Sequence, residues 1–284
     1  MFKNLKRYIS MVLAITGVCA CTATFAACET PHPEVELTLS FNNKAYTLEY
    51  VLYRNITPST VNHFLALAEN KYYDGLCVHD YSETALYTGA YSYESENLVY
   101  KNYFDTVASY IPQTVWTDEA KATPTYTLYG EFESNYFSVE NGALSQSFGA
   151  LVMYYSDKKT DSEVYVKRNQ KLDNESELAL RAYEKNSATS QFFISLNEKA
   201  EKNNDYCVFA TLKDDSVSVL ENLQTAITDY ISDNYGEDGE SNFITKKPMT
   251  IDEDDEVLGG KGSSVTYKVP NQPIEITSVK VKKY

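Results

Sequence analysis

The stretch Asn186–Leu196, which reads NSATSQFFISL, constrains the fold more than any other part of the chain. Small polar residues lead into Gln191, the pair Phe192–Phe193 and Ile194, and aromatic and branched residues after a polar turn are typical of a β-strand. Because neighbouring side chains of a strand face opposite ways, Gln191 and Phe193 should share one face. That face would suit a short apolar peptide whose backbone the amide group holds. The alternative is an ordinary barrel strand with both faces in the core, since apolar strand residues are mostly buried.

The charge balance is acidic, with 40 aspartate and glutamate residues against 25 lysine and arginine residues and a net charge of −15 in 284 residues. Such a surface repels phosphate backbones, so we expect no nucleic-acid partner. The three histidines and five cysteines show no spacing typical of a zinc site, and we expect no metal and no cofactor. Cys77 and Cys207 lie in apolar runs and are expected to be buried free thiols, although export would permit a disulfide between them.

The first 27 residues are predicted to be a signal peptide. Lys3, Lys6 and Arg7 form a positive start, and Ile9–Ala27 is apolar or small and carries no charge. A permanent transmembrane helix is the weaker interpretation, because small residues and threonine fill the second half of the segment.

The end of this segment resembles a bacterial lipobox, in which a cysteine becomes the lipidated first residue of the mature protein. Small residues precede Cys28, so we expect lipidation there. Lipidation at Cys21 and ordinary cleavage after Ala26 or Ala27 are the alternatives. Two acyl chains suffice for stable anchoring, so the predicted location is extracytoplasmic, at the bacterial cell membrane, or secreted without a lipid. Residues 28–33 would then form a short linker.

Residues 34–284 are predicted to form one domain rich in strands. Glu34–Ser40 and Lys44–Tyr53 alternate apolar and polar residues on either side of Asn42-Asn43, a pattern that predicts an antiparallel hairpin. The closing strand is predicted over Pro273–Val281.

Two helices are indicated between these strands. Thr57 as N-cap and Pro58 in the first turn open the first helix. The second is predicted over Asp215–Ile231, where Ser218 and Glu221 match a capping box. Their apolar stripes are Val61, Phe64, Leu65 and Ala68 in the first helix, and Leu220, Leu223, Ile227 and Ile231 in the second.

Six short motifs occur along the chain in a fixed order. They are TPST at Thr57–Thr60, YYDG at Tyr72–Gly75, YGEFESN at Tyr129–Asn135, GALVM at Gly149–Met153, NSATSQFFI at Asn186–Ile194 and CVFATL at Cys207–Leu212. Together they resemble the cyclophilin-type peptidyl-prolyl cis-trans isomerases, whose most specific signature is the N-x-x-x-SQFFI segment. The resemblance implies a mostly β fold, a closed eight-stranded antiparallel barrel capped by two helices.

Three stretches look inserted relative to a minimal member of that family. They cover about residues 91–126, which are rich in tyrosine, about 156–185, which are highly charged, and about 232–264, which include an acidic run. Within the second insertion we expect a helix over Glu175–Tyr183. The acidic run Asp252–Glu256 lacks the spacing of a calcium loop and is expected to be a solvated loop.

The resemblance also implies a site for an Xaa–Pro segment. Phe193 and Met153 match residues of the apolar proline pocket, and Gln191 matches the glutamine that pairs with the substrate backbone. Tyr155 and Tyr206 stand where the family has other residues at the edge of that pocket, and are candidate substrate-binding residues.

The catalytic positions depart from the family. His79 matches the histidine that precedes the catalytic arginine, but the arginine position itself holds Asp80. Ala85 and Thr88 stand in place of an aromatic residue and an amide. An ionised aspartate only accepts hydrogen bonds and would repel a substrate carbonyl oxygen.

The sequence therefore leaves three functions open. The first is an extracytoplasmic peptidyl-prolyl isomerase that acts on exported proteins, with an activity that is weak or lost. The second is a non-catalytic surface module that binds proline-containing polypeptides or a cell-surface protein. The third is a structural surface lipoprotein whose pocket is filled by Tyr154 or Tyr155. In each case we expect a monomer whose membrane attachment is the lipid. Arg168 and Arg181, in the second insertion, and Lys202 are the candidate substitutes for the missing arginine.

Overall fold

The computed structural model describes residues 30–107, 109–132, 144–155, 163–168, 176–182, 188–199, 206–236, 239–250 and 264–284. Cys28 and the signal peptide lie outside these residues. The elements, in chain order, are β1 (Glu34–Phe41), β2 (Lys44–Leu52), α1 (Pro58–Glu69), β3 (Asp80–Ser82), β4 (Ala85–Thr88), β5 (Tyr91–Glu94), β6 (Asn97–Tyr100), α2 (Tyr103–Val107), β7 (Val115–Trp116), β8 (Leu151–Tyr155), β9 (Glu163–Lys167), β10 (Leu178–Ala182), β11 (Ala188–Ser195), β12 (Val208–Leu212), α3 (Asp214–Tyr235), α4 (Gly239–Phe243), β13 (Ile244–Thr250), β14 (Ser264–Pro270) and β15 (Ile274–Lys283).

The main element is an antiparallel sheet of eight strands in the order β15-β1-β2-β12-β8-β11-β4-β3. The two edges approach each other at Leu76–Val78, just before β3. There the amide of Val78 donates to the carbonyl of Ile274 (2.8 Å), and the amide of Ile276 donates to the carbonyl of Leu76 (2.7 Å). This junction is short, so the sheet is a half-barrel and the expected full closure overstates it.

The first hairpin is confirmed. Strands β1 and β2 pair along their length, from Glu34 opposite Val51 to Phe41 opposite Lys44. Asn42 and Asn43 have positive φ angles of 45° and 62°. Two successive left-handed residues make the tight turn that matches the twist of paired strands, and asparagine tolerates this conformation well.

Helix α1 also confirms the prediction, with Thr57 at its N-cap, Pro58 in its first turn and the expected apolar stripe buried. Helix α3 begins earlier than predicted, at Asp214, so Ser218 and Glu221 lie inside the helix and form no capping box. Two aspartates in its first turn interact favourably with the helix dipole instead.

Aromatic rings fill the interior of the half-barrel beneath α1. The Phe64 ring lies 5.5 Å from Phe192 and 5.1 Å from both Phe209 and Tyr73, measured between ring centroids. All four side chains are almost completely buried. Cys207 is part of the same cluster and Cys77 of a second one, and both are buried free thiols, as expected.

The insertions contribute strands. In the first, β5 pairs with β6, and β13 of the third pairs with β14, the strand that follows that insertion. The helix expected over Glu175–Tyr183 is wrong, because residues 178–182 form β10 and pair with β9. Helical propensity in a charged segment gave way to a partner strand, EVYVK, that alternates buried and exposed residues.

Two features are absent from the described residues. No helix among them is long and apolar enough to cross a membrane. Within the same ranges, no cluster of three or more histidine, cysteine, aspartate and glutamate side chains could hold a metal ion.

We expect Phe192→Ala to lower the free energy of unfolding by about 3–5 kcal/mol, because it leaves a cavity between the rings of Phe64 and Tyr73. Urea denaturation measures this change. The control is Leu180→Ala on β10, whose side chain is 45% exposed and which should cost no more than about 0.5 kcal/mol. Equal losses in the two variants would contradict the assignment of Phe192 to the interior.

Candidate functional site

A row of side chains crosses the outer face of the sheet at its centre. Asp80 pairs with Tyr87, Tyr87 with Phe193, Phe193 with Val152, and Val152 with Val208. Directly paired residues of neighbouring strands project on the same side of a sheet. The neighbours of Phe193 in sequence, Phe192 and Ile194, belong to the interior core, whereas Phe193 packs in a separate outer cluster. The row therefore lies on the outer face of the sheet, and it includes Phe193, the residue at which the resemblance implies a binding site.

Phenol rings surround Phe193 on this face. The centroid of its ring lies 4.9 Å from that of Tyr87 and 6.1 Å from that of Tyr206, and Tyr154 lies 5.8 Å from Tyr87. Phe193 is only 3% exposed, while Tyr206 is 38% exposed. The expected floor of the pocket is thus covered, and the accessible surface above it is made of tyrosines.

Tyr87 is the residue that the sequence analysis missed. It lies two positions after Ala85, which stands in a family site position, so strand alternation could have placed it on the same face. Burial raises the pKa of Tyr87 to about 12, and the nearby Tyr206, Asp80 and Tyr154 act in the same direction. Tyr87 is therefore a neighbour of each of the other three side chains.

Met153 does not join the site. It is 1% exposed and belongs to the interior core with Phe192. The physical reason is alternation: Val152 takes the outward position of β8 and packs with Phe193, so Met153 must point inward. The resemblance-based role of Met153 as a pocket residue is corrected accordingly.

Two other expected site positions have different places in the fold. Tyr155 ends β8 and pairs with Ala188, and its side chain lies outside the described part of the chain. Thr88 is fully buried, and its hydroxyl donates to the carbonyl of Cys77 at 2.8 Å. Thr88 therefore holds β4 to the segment before β3 and does not face a ligand.

His79 is a packing residue. It is 1% exposed, and its ring lies 4.8 Å from Tyr267 and 5.0 Å from Tyr91. Burial lowers the pKa of His79 to about 3, although the side chain of Gln191 and the backbone of Cys77 oppose that shift. A neutral, covered imidazole cannot touch a substrate, so the expected catalytic assignment of His79 is corrected.

Gln191 is partly exposed and lies two positions before Phe193 in β11, but the pairing of β11 with β8 is irregular between Ala188 and Phe192. Its side chain makes a hydrogen bond with the buried His79. The amide is therefore engaged inside the protein, and its expected pairing with a substrate backbone stays a prediction.

Asp80 binds β14, the strand that directly follows the third insertion. Its Oδ1 atom accepts a hydrogen bond from the backbone amide of Lys268 on β14, at 2.8 Å. Burial raises the pKa of the Asp80 carboxyl, while the Lys268 amide and the charge of Lys268 lower it. A carboxylate engaged by a backbone amide is a structural acceptor, and it offers no positive charge to a bound carbonyl group.

The contacts that the structure shows for the two candidate substitute arginines are with residues of the second insertion, and Lys202 lies outside the described residues. Arg181 is on β10 and its guanidinium donates to the carbonyl of Leu180, and the backbone amide of Arg168 donates to the carbonyl of Glu177. Arg54 donates to the Asn62 side chain and to a backbone carbonyl near the start of the described chain.

A buried carboxylate that sequence reasoning missed lies beneath helix α1. Glu131 is 3% exposed, and its two oxygens accept hydrogen bonds from the backbone amides of Ser59 (3.0 Å) and Thr60 (2.8 Å). It satisfies amides that the first turn of a helix leaves without partners. Burial raises the pKa of Glu131 to about 7, and the two amides oppose that shift. Its role is to fix α1 on the half-barrel.

The chain was compared with known families and structures. The model of the family described as "Cyclophilin type peptidyl-prolyl cis-trans isomerase/CLD" matches residues 37–238, well over half of the chain. A cyclophilin-type peptidyl-prolyl cis-trans isomerase of Cryptosporidium parvum is 14% identical, with 89% of this chain and 99% of that chain covered and a TM-score of 0.43. A crystal structure of the same protein in the presence of the dipeptide Ala-Pro gives 15% identity, 88% and 99% coverage and a TM-score of 0.40. No curated protein matches the chain.

The buried Glu131 predicts a pH dependence of stability. Its pKa is about 7 in the folded protein against an ordinary value of 4.5, so the folded state binds a proton more tightly between those pH values. The free energy of unfolding should therefore be highest below about pH 4.5 for this group and fall as the pH rises to about 7. In urea denaturation at a series of pH values, Glu131→Gln should remove this contribution.

The control for that series is Glu221→Gln, on the exposed face of α3. This variant should retain the pH dependence of the unmodified protein. A Glu131→Gln variant with the same pH dependence as the unmodified protein would refute the assignment.

Proposed function

The chain belongs to the cyclophilin-type peptidyl-prolyl cis-trans isomerase family, and we propose that it is an extracytoplasmic, lipid-anchored member that binds proline-containing polypeptides with weak or no turnover. The carrying observation is the state of the outer face, where Phe193 is 3% exposed under tyrosine rings and Asp80 occupies the position of the cation. A binding function can use the aromatic surface that this face retains, whereas turnover requires the cation that is missing at position 80.

Isomerisation of an Xaa–Pro bond requires a stabilised twisted amide. The peptide bond has a rotational barrier of ~18–20 kcal/mol because resonance couples its nitrogen and carbonyl groups. A cationic donor aimed at the prolyl nitrogen, which gains lone-pair character as the amide twists, favours the twisted state over the planar one, and only such differential binding accelerates the reaction. Asp80 carries the opposite charge and is bound to the amide of Lys268. This arrangement supports a low isomerase activity.

The covered aromatic floor supports the same conclusion. A proline ring that stacks on Phe193 would need the space taken by the rings of Tyr87 and Tyr206. A partner chain instead meets the outer parts of Tyr206, Tyr154 and Tyr87, which combine an apolar ring with a hydroxyl group. Tyrosines of this kind are effective in protein contacts, and aromatic-lined surfaces suit proline-rich segments.

The proposed location rests on the sequence of the first 28 residues. The apolar segment that ends before Cys28 supports export and lipidation, and the acidic domain that follows suits an exposed surface. A lipid anchor would hold the outer face near polypeptides that have just left the membrane.

The isomerase proposal is tested by a protease-coupled proline isomerisation assay on the mature protein. We expect turnover at least about a hundredfold below that of an active cyclophilin, the scale of loss when one aligned electrostatic donor is removed. Asp80→Arg alone should not restore it, because Ala85 and Thr88 replace further site residues and Phe193 stays covered. Turnover equal to that of an active cyclophilin, abolished by Phe193→Ala, would overturn the proposal.

The anchor is tested by labelling cells with radioactive palmitate. Label should be lost in Cys28→Ser and retained in the matched variant Cys21→Ser. Label that persists in Cys28→Ser and disappears in Cys21→Ser would move the lipidation site, and the absence of label from the unmodified protein would reject the lipid anchor.

A further inference from the structure

The hairpin β13–β14 begins in the third insertion, continues past its end, and lies along the outer edge of the sheet. Strand β3 pairs with β4 on one side only, so its other edge carries backbone groups without a partner strand in the sheet. The chain runs from β14 into β15, and Ile274 at the start of β15 already bonds to Val78. Strand β15 thus meets the chain just before β3. Strand β14 lies next to β3 itself.

A polar contact and an apolar contact hold the hairpin there. The backbone amide of Lys268 faces away from β13 and donates to the Asp80 carboxylate at 2.8 Å. On the adjacent position, the Tyr267 ring packs on His79 (4.8 Å) and Tyr91 (5.4 Å) and is 7% exposed. The side chain of Asp80 thus takes the role that a backbone carbonyl would have in a continued ladder.

The hairpin meets the sheet at the row that contains Phe193. Asp80 is the first residue of that row, and Tyr87 lies between it and Phe193. Lys268 is exposed on the surface of β14, and its charge acts on the carboxyl group of Asp80. The exposed Lys268 is therefore fixed by its backbone amide beside Asp80, the position that the resemblance assigns to an arginine.

We propose that Asp80 is a positioning residue that holds the β13–β14 hairpin against β3, and that it thereby places Lys268 as the cation that binds a carbonyl oxygen of a polypeptide on the outer face. The second part rests on the proposed binding function, and the first part does not. The position used for catalysis elsewhere in the family serves here to attach an insertion.

The chemistry of lysine fits binding better than turnover. An ammonium group donates to carbonyl oxygens as a mobile point charge on a flexible stem. Arginine presents a rigid fork that stays aligned with an amide as it twists. Lys268 would therefore hold the planar and twisted forms of the amide about equally, and equal binding of both forms gives affinity without acceleration.

The first test is hydrogen exchange of the full mature protein, with the amide of Lys268 as the probe. In Asp80→Ala this amide should exchange about tenfold faster, the expected effect of losing one charge-assisted hydrogen bond. Asp80→Asn keeps a carbonyl acceptor and should retain most of the protection. The amides of β1 and β2 should be unchanged in both variants.

The matched control is Asp118→Ala. Asp118 also accepts hydrogen bonds from backbone amides, those of Ala122 (3.0 Å) and Thr123 (2.7 Å), in another insertion. It should leave the exchange of Lys268 unaffected. Unchanged protection of Lys268 in Asp80→Ala would overturn the positioning role of Asp80.

The second test is calorimetric titration with a proline-containing peptide of neutral sequence. Lys268→Gln should weaken binding by about tenfold, as expected for loss of a charged donor. Lys246→Gln is the control, because Lys246 is exposed and pairs directly with Lys268 across the hairpin. Asp80→Ala should weaken binding as Lys268→Gln does.

The outcomes separate the two proposals. Equal affinities of Lys268→Gln and Lys246→Gln, with binding intact in the unmodified protein, would overturn the role of Lys268 and leave the binding function standing. If the unmodified protein binds no peptide, the binding function fails and the role of Lys268 with it, while the exchange result still decides whether Asp80 holds the hairpin.

Discussion

The position of β11 between β4 and β8 is the constraint on which the rest of the structure depends. Antiparallel pairing on both sides fixes which of its side chains face inward. Phe192 then joins the aromatic core beneath α1, and Phe193 appears on the outer face beside Tyr87 and Val152. A shift of one residue in this pairing would exchange the two faces, moving the core residues to the surface. The same register therefore stabilises the half-barrel and defines its candidate site.

In two places of this fold, a carboxylate accepts hydrogen bonds from backbone amides that have no partner in a helix or sheet. Glu131 accepts from the first-turn amides of α1, and Asp80 accepts from an amide of β14. Both are partly or wholly buried, and burial raises the pKa of each. An amide that lacks a partner inside a protein is costly, so a carboxylate placed against it stabilises the local structure despite its own desolvation.

The sequence-based predictions were accurate where a structure depends on residues that are close in the sequence, and failed where it depends on residues that are distant in the sequence. The hairpin at Asn42-Asn43 and the start of α1 at Pro58 depend on neighbours in sequence, and both were predicted. The strand β10 was mistaken for a helix because its partner β9 lies earlier in the same insertion, outside the local window in which a helical pattern is read. Met153 was assigned to the pocket by resemblance, yet alternation from Val152 turns it inward. Tyr87 was missed, although Ala85 two positions earlier marked the same face.

The sequence by itself determined the family, the order of the main strands and helices, and the opposite orientations of Phe192 and Phe193 in β11. These depend on residue identity and on the fixed period of a strand. Only the tertiary structure decided that tyrosines cover Phe193, that His79 is enclosed, that Glu131 lies under α1 and that Asp80 binds the backbone of Lys268. Each of these joins residues far apart in the chain, and such contacts follow from how the insertions fold back on the sheet, which no local pattern encodes.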